Sequence, residues 1–274
     1  MWKTVFDDSD EYMEIYFREK YRNENTLIYF DNGKAVSSLQ MLPFNFSFHG
    51  SEIPIAYFSG LCTLPEARRK GFMGELIKKA FDIMVEKDIP LAILVPQDAG
   101  VMNFYRPFGF TQTFDAGTAL PDLHQIVSES ENPETAYSTF DSFFRNQDMT
   151  VQKSFDDFRA IAEEATLFDF PVKKSLIGMA RVIDAEKLLM IFAKKNSETK
   201  ISVKISDPFI EKNNAIFVME NGKVSKKGNE ISAQFNVEID ALTQVLLGYK
   251  TAELSNDYSR IFPEKQPLIG FMME

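Results

Sequence analysis

Three cations and two glycines stand within seven residues, Arg68-Arg69-Lys70-Gly71-Phe72-Met73-Gly74. An apolar run, Ile55 to Thr63, precedes them, and a run with helical spacing, Glu75 to Val85, follows. This order predicts a strand, a turn and a helix that opens on glycine. A helix N-terminus carries unpaired N–H groups and about half a positive charge. Glycine admits an anion close to the backbone because no Cβ intervenes. The segment therefore reads as a cradle for a diphosphate. The backbone N–H groups of Arg69, Gly71, Met73 and Gly74 would be donors, and Arg68, Arg69 and Lys70 would add charge. An ordinary basic turn ahead of a helix has the same composition, and short glycine motifs are weak on their own.

The elements that must position this loop are legible on both sides. Ser9 to Arg22 reads as a helix capped by Ser9, with Tyr12, Ile15 and Tyr16 on one face. Leu27 to Phe30 and Lys34 to Phe48 read as strands joined at Asp31-Asn32-Gly33, because Asn-Gly between apolar runs is a hairpin signal. His49-Gly50-Ser51-Glu52 reads as the next turn, and Ile55 to Thr63 as a further strand. Gly71 to Lys87 reads as an amphipathic helix burying Leu76, Ile77, Ala80, Phe81, Met84 and Val85. Leu91 to Val95 is wholly apolar, as expected of a strand buried on both faces. A short helix over Ala99 to Tyr105 and a strand after Gly109 follow.

From Leu120 to Asp169 strand alternation is absent, and aromatics such as Phe140, Phe144, Phe155 and Phe158 recur at helical spacing. This stretch reads as a helical connector ended by Pro171. Beyond Met179, period-two alternation returns at Ile201, Val203 and Ile205, and again from Ile231 to Ile239. Asp240 is expected to cap a short helix stopped at Gly248. The whole is an α+β chain: a mixed sheet flanked by helices over residues 1–117, a connector over 118–172 and a second α+β unit over 173–274.

Composition sets the outer limits. The 274 residues are 45% hydrophobic, enough for a substantial core and more than one unit. The formal charge of −10 argues against non-specific binding to nucleic acid and is compatible with a cationic substrate. The longest apolar run, Ile89 to Pro96, falls far short of the about 20 residues that span a bilayer. No apolar signal core is visible near the acidic N-terminus, so a soluble, cytoplasmic protein is expected. A single cysteine, Cys62, excludes an internal disulfide framework. His49 and His124 fall on an expected turn and connector, read as solvent-facing, and lack metal-ligand spacing, so no metal site is expected.

The first unit resembles the GCN5-related N-acetyltransferase (GNAT) superfamily. The signature of that family is an Arg or Gln, two residues, a Gly, one residue, then Gly or Ala. Arg68 and Gly71 fit it, while Met73 stands at the last small-residue place with Gly74 beside it. That departure leaves the role of the final glycine open. The match is closer to the Eis-like branch, in which a GNAT domain is followed by a degenerate second one and a sterol-carrier-protein-like domain. The run Asn103-Phe104-Tyr105-Arg106-Pro107-Phe108-Gly109-Phe110 is similar to the tyrosine motif of that branch. The tail is similar too, at Met179-Ala180-Arg181-Val182-Ile183-Asp184, at Leu246-Leu247-Gly248-Tyr249-Lys250 and at Phe271-Met272-Met273-Glu274.

The resemblance implies acetyl-CoA as cosubstrate, an amine as acceptor and direct attack in a ternary complex. It implies cosubstrate contacts at Leu61, Cys62 and Thr63, where the strand splays from its neighbour, at Arg68 to Gly74 including Phe72, and at Asn103. Cys62 itself reads as a small core residue, with a catalytic thiol the lesser alternative. Tyr105 is implied as general acid, since an unperturbed phenol, with a pKa of about 10, is protonated at neutral pH; taken alone it would read as a packing aromatic. The main-chain carboxylate of Glu274 is implied as proton acceptor, beside the alternatives of a docked terminus without chemistry and of water. A cationic multi-amine acceptor and a homo-oligomer are implied by the same branch. A different class stays open: a non-catalytic protein that senses CoA or binds an apolar ligand in its C-terminal domain.

Overall fold

A computed structural model describes residues 1–168, 172–227, 232–254 and 256–273. The chain opens with a short helix, α1 (Trp2–Phe6), and then α2 (Asp10–Glu19), whose first turn is capped by Ser9 accepting from the Tyr12 N–H at 3.1 Å. Strands β1 (Thr26–Asp31) and β2 (Lys34–Phe48) are joined by Asn32 and Gly33, both with positive φ, the geometry that matches strand twist in a two-residue hairpin. His49 and Gly50 repeat the device before β3 (Ser51–Thr63). Helix α3 (Phe72–Glu86), strand β4 (Leu91–Leu94), helix α4 (Ala99–Tyr105) and strand β5 (Thr111–Phe114) follow, close to the bounds expected.

The connector holds helices α5 (Leu123–Glu129), α6 (Pro133–Arg145) and α7 (Phe155–Leu167). Their starts follow sequence chemistry. Asp122 and Asn132 cap the first two, and Ser154 with Asp157 forms a reciprocal capping box on the third. The connector is not purely helical. Strand β6 (Thr150–Gln152) pairs with Asn45 to Ser47 of β2; three residues are too few to display alternation. Pro171, expected to end the connector, and Ile231, expected to begin a strand, lie outside the described residues.

Strand β7 (Gly178–Val182) departs from its expected place in the C-terminal unit. It is inserted into the first sheet between β4 and β5, antiparallel to both, so that the order runs β1-β2-β3-β4-β7-β5. All five of its residues are buried. Helix α8 (Ala185–Lys195) and strands β8 (Ile201–Ser206), β9 (Ile216–Glu220), β10 (Lys223–Lys227) and β11 (Phe235–Glu238) build a second sheet in the order β10-β9-β8-β11. Helix α9 (Ile239–Leu246) starts two residues earlier than expected, with Glu238 rather than Asp240 at the cap position; Asp240 sits in the first turn, where its charge suits the helix dipole.

Both faces of the first sheet are covered. Ala56, Phe58, Ala92 and Leu94 pack with Leu76, Ile77, Ala80 and Phe81 of α3. Ile55, Tyr57, Leu91 and Ile93 belong to the other core, shared with the connector and the C-terminal unit. The tail enters that core. Leu268 to Met273 are all buried, and the Phe271 ring lies 5.4 Å from Phe140. Among the described residues no helix is long and apolar enough to cross a membrane.

Candidate active site

The cationic loop has the form its composition suggests. After β3 a turn of 3-10 helix, Pro65–Ala67, leads to extended Arg68; Arg69 and Gly71 then take positive φ, 64° and 85°. The Glu75 N–H meets the Gly71 carbonyl at 3.1 Å and starts α3, and no side chain caps the helix. A Cβ on Gly71 would have nothing within 4 Å, so the space above the helix start is open. Arg68, Arg69 and Lys70 are exposed. Arg68 Nε donates to the Thr63 carbonyl at 3.2 Å, and Lys70 Nζ lies 3.9 Å from Asp31. An uncapped N-terminus, an open glycine and three exposed cations are suited to a diphosphate.

Phe72, Met73 and Gly74 face inward from that turn. Phe72 stacks on Tyr29 at 4.5 Å, and Met73 packs against the α3 side of the sheet. A Cβ on Gly74 would come within 3.2 Å of the Phe108 ring. The small residue next to the signature therefore admits Phe108, while Met73 fills core.

Strand β3 supplies the second part. It pairs in parallel with β4 from Ile55–Leu91 to Phe58–Leu94, and there β4 ends while β3 runs on. Its pairing with β2 is also irregular, passing from Ser38–Cys62 to Gln40–Ser59 with Gly60 at φ 59° between. Ser59, Gly60 and Leu61 line a cavity of about 600 Å³. Of the expected strand residues only Leu61 lines it. The Cys62 side chain is buried with its sulfur 3.1 Å from Ser38 Oγ, and burial pushes its thiol up from the ordinary value. Thr63 Oγ1 hydrogen-bonds Ser37 Oγ at 2.8 Å. The core assignment of Cys62 is thereby favoured.

Tyr105 lines the same cavity from the end of α4. That helix is held by Asp98, whose Oδ1 accepts from the Val101 N–H at 2.9 Å. The Tyr105 side chain is 7% exposed, packs edge-on to Phe104 and Phe110, and has no hydrogen-bond partner among the described residues. Burial drives its phenol well above the ordinary value. Asn103 is exposed on α4, away from the cavity lining. Glu274 lies outside the described residues.

The sequence reading missed two contributors. Ser59-Gly60 is one, and a glycine inside a strand was the available signal of a bulge. Helix α1 and the turn after it are the other: Trp2 and Phe6 of the helix and Asp8 of the turn also line the cavity. His49 is a correction. It is buried, not solvent-facing, with Nε2–H donating to the Leu246 carbonyl at 2.9 Å and its ring edge-on to Phe192.

Residues 1–113 match the family model of the acetyltransferase (GNAT) domain, and residues 183–267 match that of the sterol carrier protein domain. No curated protein matches the chain by sequence. Solved structures match over nearly its whole length. A GCN5-related N-acetyltransferase from Anabaena variabilis is 14% identical with a TM-score of 0.68, covering 97% of this chain and 94% of that one. Eis1 from Mycobacterium abscessus is 15% identical with a TM-score of 0.61, covering 95% and 96%. A probable N-acyltransferase from Enterococcus faecalis is 16% identical with a TM-score of 0.63, covering 97% and 94%. At these identities the structural likeness is one of fold, and the two family matches supply the rest. Residues 1–113 thus carry the acetyltransferase (GNAT) domain and residues 183–267 the sterol carrier protein domain, and the chain as a whole shares its fold with Eis1.

Proposed function

We propose that the chain transfers the acetyl group of acetyl-CoA to an amine by direct attack in a ternary complex. The observation that carries this reading is a shared cavity: a buried, unpartnered phenol and the stretch of β3 released from β4 line the same space. The loop from Arg68 to Gly74 holds the diphosphate, its N–H groups and cations meeting the negative charge. Backbone at the bulge supplies donors to the oxyanion. The neutral amine nitrogen bonds to the thioester carbonyl carbon, the carbon–sulfur bond breaks, and the thiolate takes the Tyr105 proton. The proton shed by the amine goes to water or, as the family resemblance implies, to the Glu274 carboxylate. The acidic balance of the chain suits a cationic acceptor.

Burial supports the role of Tyr105. The raised pKa keeps the phenol protonated at neutral pH, so its O–H is in place to donate a hydrogen bond to the sulfur as negative charge develops there. Calorimetry with acetyl-CoA followed by a thiol-release assay over a panel of amines tests the reading. Binding and turnover are expected. Binding without turnover on any amine would identify a CoA-sensing protein instead, and absence of binding would leave an apolar-ligand carrier.

A further inference from the structure

The cavity beside Tyr105 has a lining of one electrostatic sign. Among the described residues its titratable side chains, apart from tyrosines, are Asp8 and Asp98, with no Lys, Arg or His in the lining. The two carboxylates are not equivalent. Asp98 is exposed at the rim and committed to capping α4 through Oδ1. Asp8 is half-buried, and its Oδ2 accepts a hydrogen bond of 2.6 Å from the neutral Trp2 indole N–H. It forms no ion pair among the described residues.

Trp2 fixes where that carboxylate stands. A Cβ on Gly60 would lie 2.4 Å from Trp2 Cζ3, so the indole rests directly on the bulge of β3. Its ring is held by Tyr16 at 4.6 Å, Phe6 at 4.9 Å and Phe17 at 5.4 Å. Asp8 is therefore tethered to a ring in contact with the strand segment assigned to the thioester. Around it the wall is apolar: Phe6, Val95, Met102, Leu176 and Ile177. Ile177 is 41% exposed and carries the apolar surface to the mouth.

Resting on the acetyltransferase reading, we propose that the acceptor is a monoamine whose single nitrogen sits on an aromatic or alkyl body, with Asp8, held in place by the Trp2 indole, receiving its ammonium and the apolar wall receiving the body. A carboxylate without a cation attracts an ammonium. A second ammonium would lose its water against Val95, Leu176 and Ile177, and Asp98, exposed at the rim with one oxygen committed to the α4 cap, offers only a solvated contact of little strength in exchange. An anionic acceptor would meet Asp8 and Asp98 with no compensating cation. Apolar area buried by the body supplies affinity. The ammonium yields its proton to water before its nitrogen attacks, so the balance of the transfer is unchanged.

The test uses the full chain, acetyl-CoA and two probes, 2-phenylethylamine and spermidine. Turnover of phenylethylamine with kcat/KM at least tenfold above that of spermidine is expected. Asp8→Asn should raise KM for phenylethylamine about tenfold while the affinity for acetyl-CoA by calorimetry stays the same, a split that a general loss of structure would not give. Trp2→Phe keeps an aromatic floor without the tether and should raise the same KM by a smaller factor. A preference for spermidine, or an unchanged amine KM in Asp8→Asn, overturns the acceptor assignment and leaves the acetyltransferase standing. Failure of the wild-type chain to bind acetyl-CoA overturns both, whereas binding without turnover of either probe overturns the acceptor assignment alone.

Discussion

Arg181 and Asp207 form an ion pair at 2.7 Å with neither side chain exposed. The pair joins the C-terminal domain to the candidate active site. Asp207 lies just beyond β8 and also accepts from the Phe209 N–H and from Asn213 Nδ2. Arg181 lies in β7, inside the first sheet. Its Nε donates to the Phe108 carbonyl at 2.7 Å, three residues past Tyr105, and its guanidinium lies 4.2 Å over the Phe81 ring of α3. One side chain thus touches the turn that follows the phenol and the helix that opens at the cationic loop. Burial lowers the guanidinium pKa to about 10, which leaves it charged at neutral pH.

Breaking this pair should be felt in both stability and turnover. Asp207→Ala leaves a buried guanidinium uncompensated, and a loss of about 3–5 kcal/mol in chemical denaturation is expected. Replacing both partners, Arg181→Met with Asp207→Leu, should recover much of that stability. Turnover should not recover with it, because the Phe108 carbonyl loses its donor and the Tyr105 turn loosens; a drop in kcat of about tenfold or more is expected. A stable double variant with wild-type kcat would sever the link between the pair and Tyr105.

Tyr105→Phe removes the proposed acid while keeping the ring that packs on Phe104 and Phe110. General acid catalysis contributes on the order of 10²–10⁴ in rate, so kcat should fall at least about tenfold while acetyl-CoA binding holds. The pH profile gives an independent check. Burial raises the phenol, so the acid form persists beyond the ordinary pKa of about 10. No alkaline fall in kcat should arise from this group below that pH. A kcat of Tyr105→Phe equal to wild type would withdraw the assignment.

Local signals carried most of the first domain, and long-range ones were invisible. Asn32-Gly33, the Ser9 cap and the apolar stripe of α3 each declare themselves within a few residues. Strand β7 does not. With all five residues buried it has no alternation, and nothing local says that Ala180 pairs with Ile93 rather than with a strand of its own domain. His49 reads as a turn residue, which it is; its burial comes from Leu246, 197 positions away. The same limit applied to the site. The cationic loop is contiguous and so legible as a candidate, whereas Trp2 resting on Gly60 joins two elements whose meeting only the fold decides.

The two glycines of the loop should fail in different ways. Gly71 has positive φ and open space, so Gly71→Ala adds no clash but strains the backbone by about 1 kcal/mol. Its main effect should be on cosubstrate affinity, with KM for acetyl-CoA rising several-fold as the N–H groups turn away. Gly74→Val instead pushes a side chain into Phe108, and overpacking of this kind typically costs about 1–3 kcal/mol. Its melting temperature should fall more than that of Gly71→Ala. The reverse ranking, in stability and in KM together, would reassign which glycine serves the diphosphate.

His49 should make the fold sensitive to mild acid. Its imidazole is held below the ordinary value by burial; Lys265 and Lys195 nearby act in the same direction, while the Leu246 carbonyl and Asp148 oppose it without winning. The unfolded chain has a histidine near the reference of about 6.5 and so binds a proton more readily than the folded one below that pH. Stability from this residue is therefore fully present above about pH 6.5 and is lost as pH falls from there toward the lower folded value. Urea unfolding at pH 7.5 and 5.5 should give a smaller free energy at the lower pH. His49→Gln keeps a side-chain donor for the Leu246 carbonyl but has no proton to gain, so its free energy should change less between the two conditions. The difference between the two slopes isolates His49, because the carboxylates that titrate in this range are common to both proteins; equal slopes would place the buried imidazole outside the acid response.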